Sequence, residues 1–177
     1  MTGPDLPDPM LADGSRPSSA EDLLSRLEEL GIEASTVRHP AVFTVEEAKQ
    51  LRGKLPGAHT KNLFVRDKKG VMWLIVVRED RSVDLSALAD KLGLKRLSFG
   101  SPQRLMKYLG VIPGAVSPFG VVNDHGGEVS VALDAGLREY DLWSFHPLDN
   151  TMTTTLARDD MLRFLAEEGH PPTWVEL

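Results

Sequence analysis

The order of apolar and polar residues predicts helices at several places along the chain. Leucines recur at helical spacing from residue 23 to residue 30 and form one buried face. Ser18 can cap this helix in a capping box with Glu21, and Gly31 fits the left-handed position that ends it. Cap residues and stop glycines predict further helices at residues 44–51, 84–92, 102–109 and 158–168.

Runs with strand-forming character separate these helices. We expect strands at residues 32–38, 61–67, 71–78, 117–123, 129–133, 141–146 and 151–156. Residues 71–77, VMWLIVV, are apolar almost throughout, which predicts a central strand covered on both faces. Strands and helices interleave without regular βαβ alternation. The pattern therefore predicts a mixed α/β (α+β) fold, with a mostly antiparallel mixed sheet flanked by helices.

The 177-residue length suits one domain with a sizeable core. Residues 1–17 are rich in Pro, Gly and Asp and lack periodicity, which predicts a flexible N-terminal arm. Residues 18–177 are then expected to form a single domain.

Composition narrows the chemistry. The chain has no cysteine, which removes disulfides, thiolate nucleophiles and cysteine-based zinc sites. No apolar run reaches the ~18 residues of a membrane span. The N-terminus lacks the basic and apolar parts of a signal peptide, so the expected location is the cytoplasm. The net charge of −6 disfavours a DNA-binding protein, which relies on many phosphate contacts.

One stretch of this acidic chain is rich in basic residues. Lys91 precedes four further basic residues around two predicted helices, namely Lys95, Arg96, Arg104 and Lys107. They form either solvated helix faces or a surface for an RNA acceptor stem, and their spacing leaves both interpretations open.

Lys61 and Asn62 open a predicted strand after His59 and Thr60. The lysine is either a solvated strand end or a cation aimed into a cleft, where it can stabilise negative charge on a carbonyl under attack. Asn62 alternates to the other face of an ideal strand, so both side chains serve one site only if the strand starts irregularly.

The glycine- and proline-rich segment from residue 110 to residue 120 is the strongest local signal. Gly110, Val111, Ile112, Pro113 and Gly114 are typical of a stiff loop whose backbone N–H groups can face one oxygen, although a plain helix-to-strand connection fits equally well. Nearby Ser117 lacks the G-x-S-x-G context of a nucleophile elbow, so we do not expect a serine nucleophile.

The histidines show no metal-binding spacing such as H-E-x-x-H, so no zinc site and no other cofactor are expected. His146 is either a packed strand-end histidine or a functional group that bonds a substrate or acts as a base near neutral pH. His39 and His170 each precede a proline, and we interpret both as turn residues.

Three blocks of the chain occur in the order found in one known family. These are T-K-N-L-F from Thr60, G-x-x-P-G-x-V-S-P-F-G from Gly110, and H-P-L-x-N-x-x-T from His146. Over roughly residues 20–170 the chain resembles the prolyl-tRNA editing (YbaK-like) domain family. It is most similar to the free-standing ProX-type members, which deacylate mischarged Ala-tRNA(Pro).

This resemblance implies a role for each block. Lys61 matches the family's central active-site residue, Asn62 a position that orients the ester, and His146 a residue of the same site. The residues matching Gly110–Gly114 shape a pocket for the aminoacyl group and the terminal adenosine. Water is the attacking species, and the adenosine ribose hydroxyl helps to position it. No cofactor is implied.

The resemblance also indicates a substrate and partners. A pocket too small for proline would spare Pro-tRNA, and its candidate lining residues are Phe43, Thr44, Val45, the Gly110–Gly114 loop and Ser117. The expected substrate is the acceptor end of mischarged tRNA(Pro) carrying alanine, with cysteine or serine as alternatives. Prolyl-tRNA synthetase or an elongation factor is a candidate partner. A binding module without catalysis remains the rival hypothesis.

Overall fold

The structure, a computed structural model, describes residues 9–41, 46–47, 50 and 56–177. Its described strands form two sheets. The strands are β1 Ala34–Arg38, β2 Thr60–Arg66, β3 Met72–Arg78, β4 Ser98–Phe99, β5 Val129–Asp134, β6 Leu142–Phe145, β7 Met152–Ala157 and β8 Thr173–Val175. The smaller sheet has the antiparallel order β1-β7-β6, and the larger has the order β4-β2-β3-β5-β8.

Strand β3 lies at the centre of the larger sheet. It pairs antiparallel with β2 and parallel with β5, so this sheet is mixed as predicted. Leu74 and Val76 face a central core that also contains Trp143, whereas Ile75 and Val77 face an outer core under the second helix. All four side chains are fully buried, which confirms that this apolar run is a central strand covered on both faces.

The helices flank these sheets and confirm most of the predicted segments. Their bounds are α1 Ala20–Glu29, α2 Leu85–Leu92, α3 Pro102–Leu109 and α4 Arg158–Glu167. Helix α1 begins one residue later than predicted, because Ser19 and not Ser18 is the cap: its hydroxyl accepts from Asp22 N–H, and the Asp22 carboxylate accepts from Ser19 N–H. None of the helices in the described part of the chain has the length and apolar character needed to span a bilayer.

One predicted strand is wrong. Residues 117–123 form a 3₁₀ helix, Pro118–Asn123, in place of an extended segment. Pro118 suits the first turn of a helix, and the turn packs so tightly on α3 that a Cβ at Gly120 would lie 3.0 Å from Leu109 Cβ. Tertiary packing here overrides the strand preference of the two valines in the segment.

Three short elements were not predicted from the sequence. Strands β4 and β8 and the 3₁₀ helix Ala135–Glu139 are each five residues or fewer, which is too short for a periodic pattern. Of the predicted helix at 44–51, Glu46, Glu47 and Gln50 are described and are helical, while the proposed cap Thr44 lies outside the described residues.

The segment before α1 contacts the body of the domain. Leu11 is buried, Ala12 N–H donates to Lys107 O at 2.9 Å, and Ser18 N–H donates to Asn123 Oδ1 at 2.9 Å. Residues 1–8 of the predicted flexible arm lie outside the described residues.

Candidate active site

Within the described residues, one isolated β-bridge joins the segment before β2 to β6 of the smaller sheet. Ala58 bridges to Trp143 of β6 in parallel fashion, and its N–H donates to Leu142 O at 2.8 Å. Strands β2 and β6 belong to different sheets and make no bridge to each other within the described residues, since Ala58 precedes β2. Lys61 lies three residues after Ala58 and His146 lies three residues after Trp143, so each follows the bridge on its own chain segment.

Alternation along the strands decides which side chains share a face. Ala58 and Trp143 both face the central core, so Lys61 and His146, three residues beyond each of them, fall on the opposite side. The register of β2 against β3 is unbroken from Thr60 to Arg66. Asn62 therefore points toward the central core, and the irregular strand start that would bring it beside Lys61 does not occur.

Lys61 and Asn62, on opposite faces of β2, also form separate hydrogen bonds. The Lys61 ammonium donates to the carbonyl of Arg81, in the segment after β3. The Asn62 amide donates to Thr60 Oγ1 at 3.2 Å, while its Oδ1 is buried without a hydrogen-bond partner among the described residues. An acceptor left open in this way is suited to a donor from a ligand.

His146 is held as a neutral imidazole. Its Nδ1–H donates to Met152 O at 2.7 Å, because a carbonyl can only accept, and within the described residues Nε2 has no partner. Burial lowers the pKa of His146; the bond to Met152 opposes this, and neighbouring His39 adds to the lowering. The open Nε2 is thus a hydrogen-bond acceptor near neutral pH.

The turn after His146 is fixed at both ends. The His146 carbonyl accepts from Leu148 N–H at 3.0 Å and from Ser117 Oγ at 2.7 Å. Leu148 adopts φ 67°, a left-handed conformation that costs free energy for a branched residue. Asp149 Oδ1 accepts from Thr151 N–H and Oγ–H at 2.8 and 2.6 Å, and these bonds lower the pKa of Asp149.

Sequence reasoning missed His39, which we had interpreted as a turn residue. Its ring centroid lies 6.0 Å from that of His146, and its Nε2 accepts from Thr153 Oγ–H at 2.8 Å while Nδ1 bonds the Pro40 carbonyl. The only signal was its place at the start of the H-P-A-V-F-T segment, because nothing in the spacing connects residue 39 with residues 146 and 153.

The glycine and proline loop divides into anchors and an exposed tip. Gly110 ends α3 at φ 64°, and a Cβ there would lie 2.3 Å from Asn123 Nδ2, so this glycine serves close packing. Val111 is buried in the central core. Ile112, Pro113 and Gly114 are exposed at the tip, and the Ile112 side chain keeps 55% of its surface accessible.

Beneath the tip lies Asn150, another residue to which the sequence assigned no role. A Cβ built on Gly114, at φ 95°, has Asn150 Nδ2 at 3.6 Å as its one neighbour within 4 Å among the described residues. Asn150 is 8% exposed, and its Nδ2 is buried with no hydrogen-bond partner in the described part of the chain.

Ser117 lies in the same region but with its hydroxyl already engaged. Its side chain is fully buried and donates to the His146 carbonyl, which makes it a support for the turn. Phe43, Thr44 and Val45, the other predicted lining residues, lie outside the described residues. Across the ranges described, no three His, Asp or Glu side chains lie close enough to share a metal ion.

The predicted tRNA-contacting residues fall in two places. Lys95 lines a groove of about 490 Å³ together with Lys68 and Lys69, and Arg96 follows it in an exposed left-handed conformation at φ 55°. Lys107 of α3 instead lines a pocket of about 220 Å³ that includes Asp13, Asp124 and Glu128. Arg104, one turn earlier on α3, is half-buried.

Comparison with known proteins gives one consistent result. Residues 39–164 match the family model described as aminoacyl-tRNA editing domain. The chain is 38% identical over 156 residues to "Prolyl-tRNA editing protein ProX" of Acetoanaerobium sticklandii, covering 88% of this chain and 95% of that protein. It is 39% identical over 157 residues to "Prolyl-tRNA synthetase associated domain-containing protein 1" of Xenopus laevis, covering 86% and 93%.

A solved structure supports the fold. It is titled "Crystal structure of a putative trans-editing enzyme for prolyl tRNA synthetase" and superimposes with a TM-score of 0.68 at 22% identity, covering 90% of this chain and 98% of that one. At this identity the likeness concerns the fold alone.

Proposed function

The chain belongs to the aminoacyl-tRNA editing domain family, and we propose that it is a trans-editing deacylase that hydrolyses the ester of mischarged Ala-tRNA(Pro). The observation that carries this proposal is His146. It is neutral, it is held through Nδ1 and its carbonyl, and its Nε2 has no partner among the described residues. Such an arrangement suits a hydrolytic site that needs neither a thiol nor a serine nucleophile.

The chemistry follows from these groups. Water adds to the ester carbonyl carbon, the bond from that carbon to the ribose oxygen breaks, and the ribose oxygen takes a proton, which releases alanine and tRNA(Pro). His146 Nε2 accepts a hydrogen bond from the attacking water or from the neighbouring ribose hydroxyl. The Lys61 ammonium leaves the Arg81 carbonyl to stabilise the negative charge that develops on the ester oxygen.

An aminoacyl ester is an activated substrate, so positioning can supply much of the rate. We assign the pocket for the aminoacyl group and terminal adenosine to the exposed tip Ile112–Gly114. Phe43, Thr44 and Val45 stay predicted lining residues, outside the described residues. A pocket sized for the methyl group of alanine excludes the proline ring, and correct Pro-tRNA(Pro) is spared.

The acceptor stem is expected to follow the basic groove of Lys68, Lys69 and Lys95. Strand β2 separates this groove from Lys61, and its seven residues span about 20 Å at ~3.3 Å per residue. Arg96 extends the groove, whereas Arg104 and Lys107 lie on α3 and contribute less because of the acidic residues beside Lys107.

This role places the protein in the cytoplasm, where charged tRNA is used. Prolyl-tRNA synthetase is the partner proposed to release the mischarged substrate, and an elongation factor is the competitor for it.

The deciding experiment incubates the protein with tRNA(Pro) charged with Ala, Cys, Ser or Pro and follows loss of each ester. We expect rapid loss of Ala with Pro spared. Preferential loss of Cys or Ser would correct the substrate, and loss of none would favour the binding-module hypothesis.

Lys61→Ala is the matched test of the site. We expect hydrolysis to fall by about 10²-fold or more with an unchanged melting temperature, because a strand-end lysine adds little to the core. Arg163→Ala, which removes an exposed basic side chain from α4, is the control and should retain the wild-type kcat. A wild-type rate in Lys61→Ala would remove Lys61 from the mechanism.

A further inference from the structure

We propose that Asn150 is an oxyanion donor of this site in addition to Lys61, with its Nδ2–H bonded to the carbonyl oxygen of the scissile ester. The inference rests on the proposed deacylase function and names a catalytic group for it. Its basis is that this amide is buried while its N–H group has no hydrogen-bond partner among the described residues.

A buried N–H without an acceptor is costly, and native proteins rarely keep one without a reason. Asn150 is 8% exposed and its Nδ2 has no partner in the described part of the chain. The open position beside it is one that a ligand oxygen would complete, because an amide N–H donates to a carbonyl or an oxyanion.

Gly114 of the exposed loop tip is the neighbour through which a substrate would approach Asn150. The residue above it is Gly114, whose missing Cβ would lie 3.6 Å from Nδ2, and the glycine itself is exposed at the loop tip. A glycine at φ 95° allows the backbone to adopt a conformation that other residues avoid, and it places no side chain over the amide.

The position of Asn150 relative to His146 is also fixed. Both belong to the turn from residue 146 to residue 152, which is closed by the Asp149–Thr151 hydrogen bonds and by the His146 Nδ1–Met152 contact. Ser117 ties this turn to the glycine and proline loop through the His146 carbonyl. A donor preorganised in this way needs no rearrangement when charge develops on the ester oxygen.

During the reaction, water adds to the carbonyl carbon and the carbonyl electron pair moves onto the oxygen. Asn150 Nδ2–H donates to that oxygen throughout, and the bond strengthens as the negative charge grows. When the tetrahedral intermediate collapses, the electron pair returns and the ribose oxygen leaves with a proton. Asn150 gains and loses no proton.

The test compares Asn150→Ala and Asn150→Asp with the wild-type protein on Ala-tRNA(Pro). We expect both variants to lose about 100-fold or more in kcat with KM within about threefold, the pattern of a lost transition-state contact. We expect Asn150→Ala to change the melting temperature little, because the removed N–H group has no hydrogen bond among the described residues, whereas Asn150→Asp buries a carboxylate and should lower it.

Asn123→Ala is the matched control. Asn123 is equally buried, but its Oδ1 accepts from Ser18 N–H and its Nδ2 donates to Leu109 O, both at 2.9 Å. Its loss should lower the melting temperature by about 4 °C or more and leave kcat per folded molecule unchanged. An unchanged kcat in the Asn150 variants, or a raised KM at the wild-type kcat, would overturn the proposal.

A second measurement separates this proposal from the deacylase assignment. The side-chain amide signal of Asn150 is followed by ¹⁵N NMR while a non-hydrolysable alanyl-adenosine amide is added. A downfield proton shift confined to the Asn150 amide supports the donor role even if the wild-type protein hydrolyses none of the charged tRNAs. An Asn150 signal that does not move while other signals report binding rejects the role.

Discussion

Two groups of buried polar residues in this protein contain the same residue types but differ in whether their polar atoms have hydrogen-bond partners. In the His170 cluster, formed by Asn123, Asp124 and His170, the bonding groups have partners. His170 Nε2 bonds Asp124 Oδ2 at 2.8 Å, and the same carboxylate oxygen accepts from Val129 N–H at 2.7 Å. In the His146 turn, residues 146–152, His146 Nε2 and Asn150 Nδ2 have no partners among the described residues.

The two histidines differ in charge for the same reason. Burial alone would lower the pKa of His170, but its hydrogen bonds to Asp124 and to the Glu168 carbonyl raise it above the ordinary value. Burial would raise the pKa of Asp124, yet the bonds from His170 and Val129 lower it. His146 has a carbonyl partner and no carboxylate bond, so burial lowers its pKa. Buried polar groups with hydrogen-bond partners stabilise the fold, and buried polar groups without partners are available to bind a ligand.

The largest expected effect is a loss of unfolding free energy in the His170 cluster. His170→Ala leaves the Asp124 carboxylate buried without its partner, which costs about 3–5 kcal/mol of unfolding free energy. Urea denaturation measures that loss, while kcat per folded molecule should match the wild type. A variant that is stable but inactive would assign His170 to the active site and reverse the comparison.

His146→Ala should produce the complementary result. We expect kcat to fall by about 100-fold, the lower end of the range for a lost general base, with the unfolding free energy changed by less than about 1 kcal/mol. Steady-state deacylation together with urea denaturation tests both halves. Full activity would leave His146 with a packing role only.

Alanine substitutions at two glycines, one in each of these regions, should lower the unfolding free energy by smaller and different amounts. Gly110→Ala places a methyl group against the Asn123 amide at φ 64° and should cost about 2–3 kcal/mol. Gly114→Ala has the same kind of backbone strain at φ 95° but open space around it, and should cost about 1 kcal/mol. Equal losses of unfolding free energy in the two variants would mean that packing around Gly110 contributes nothing.

The smallest effect is the pH dependence of stability, and its sign differs between the two histidines. The raised pKa of His170 contributes stability that is present below the unfolded value of about 6.5 and is lost as the pH rises through the folded pKa. The lowered pKa of His146 makes folding less favourable as the pH falls below about 6.5, because the unfolded chain then binds the proton more readily.

Urea denaturation of His170→Ala and His146→Ala at pH 7.5 and 5.5 separates these contributions. Relative to the wild type, His170→Ala should lose more stability at pH 5.5, and His146→Ala should lose less there. Matching slopes for the two variants would contradict the assigned environments.

The regular elements could be predicted because their signals are local. The bounds 102–109 for α3 follow from Ser101, Pro102 and Gly110, and the central strand follows from its unbroken apolar run. The 3₁₀ helix after Ser117 could not be predicted, because the contact of Gly120 with Leu109 that shapes it joins two separate elements. Lys61, Asn62 and His146 were identified from family blocks, whereas His39 needed the pairing of β1 with β7 to come near His146.

By itself the sequence determined the helices, most of the strands and the three blocks that identify the family, since each of these is written in neighbouring residues. Only the tertiary structure decided which buried polar groups are satisfied. Asn123 meets Ser18 across 105 residues and His170 meets Asp124 across 46, while Asn150 meets Gly114 from the opposite loop and receives no acceptor within the described residues. A hydrogen bond depends on distance and direction in space, so the same asparagine is a support at one position and a candidate catalytic donor at the other.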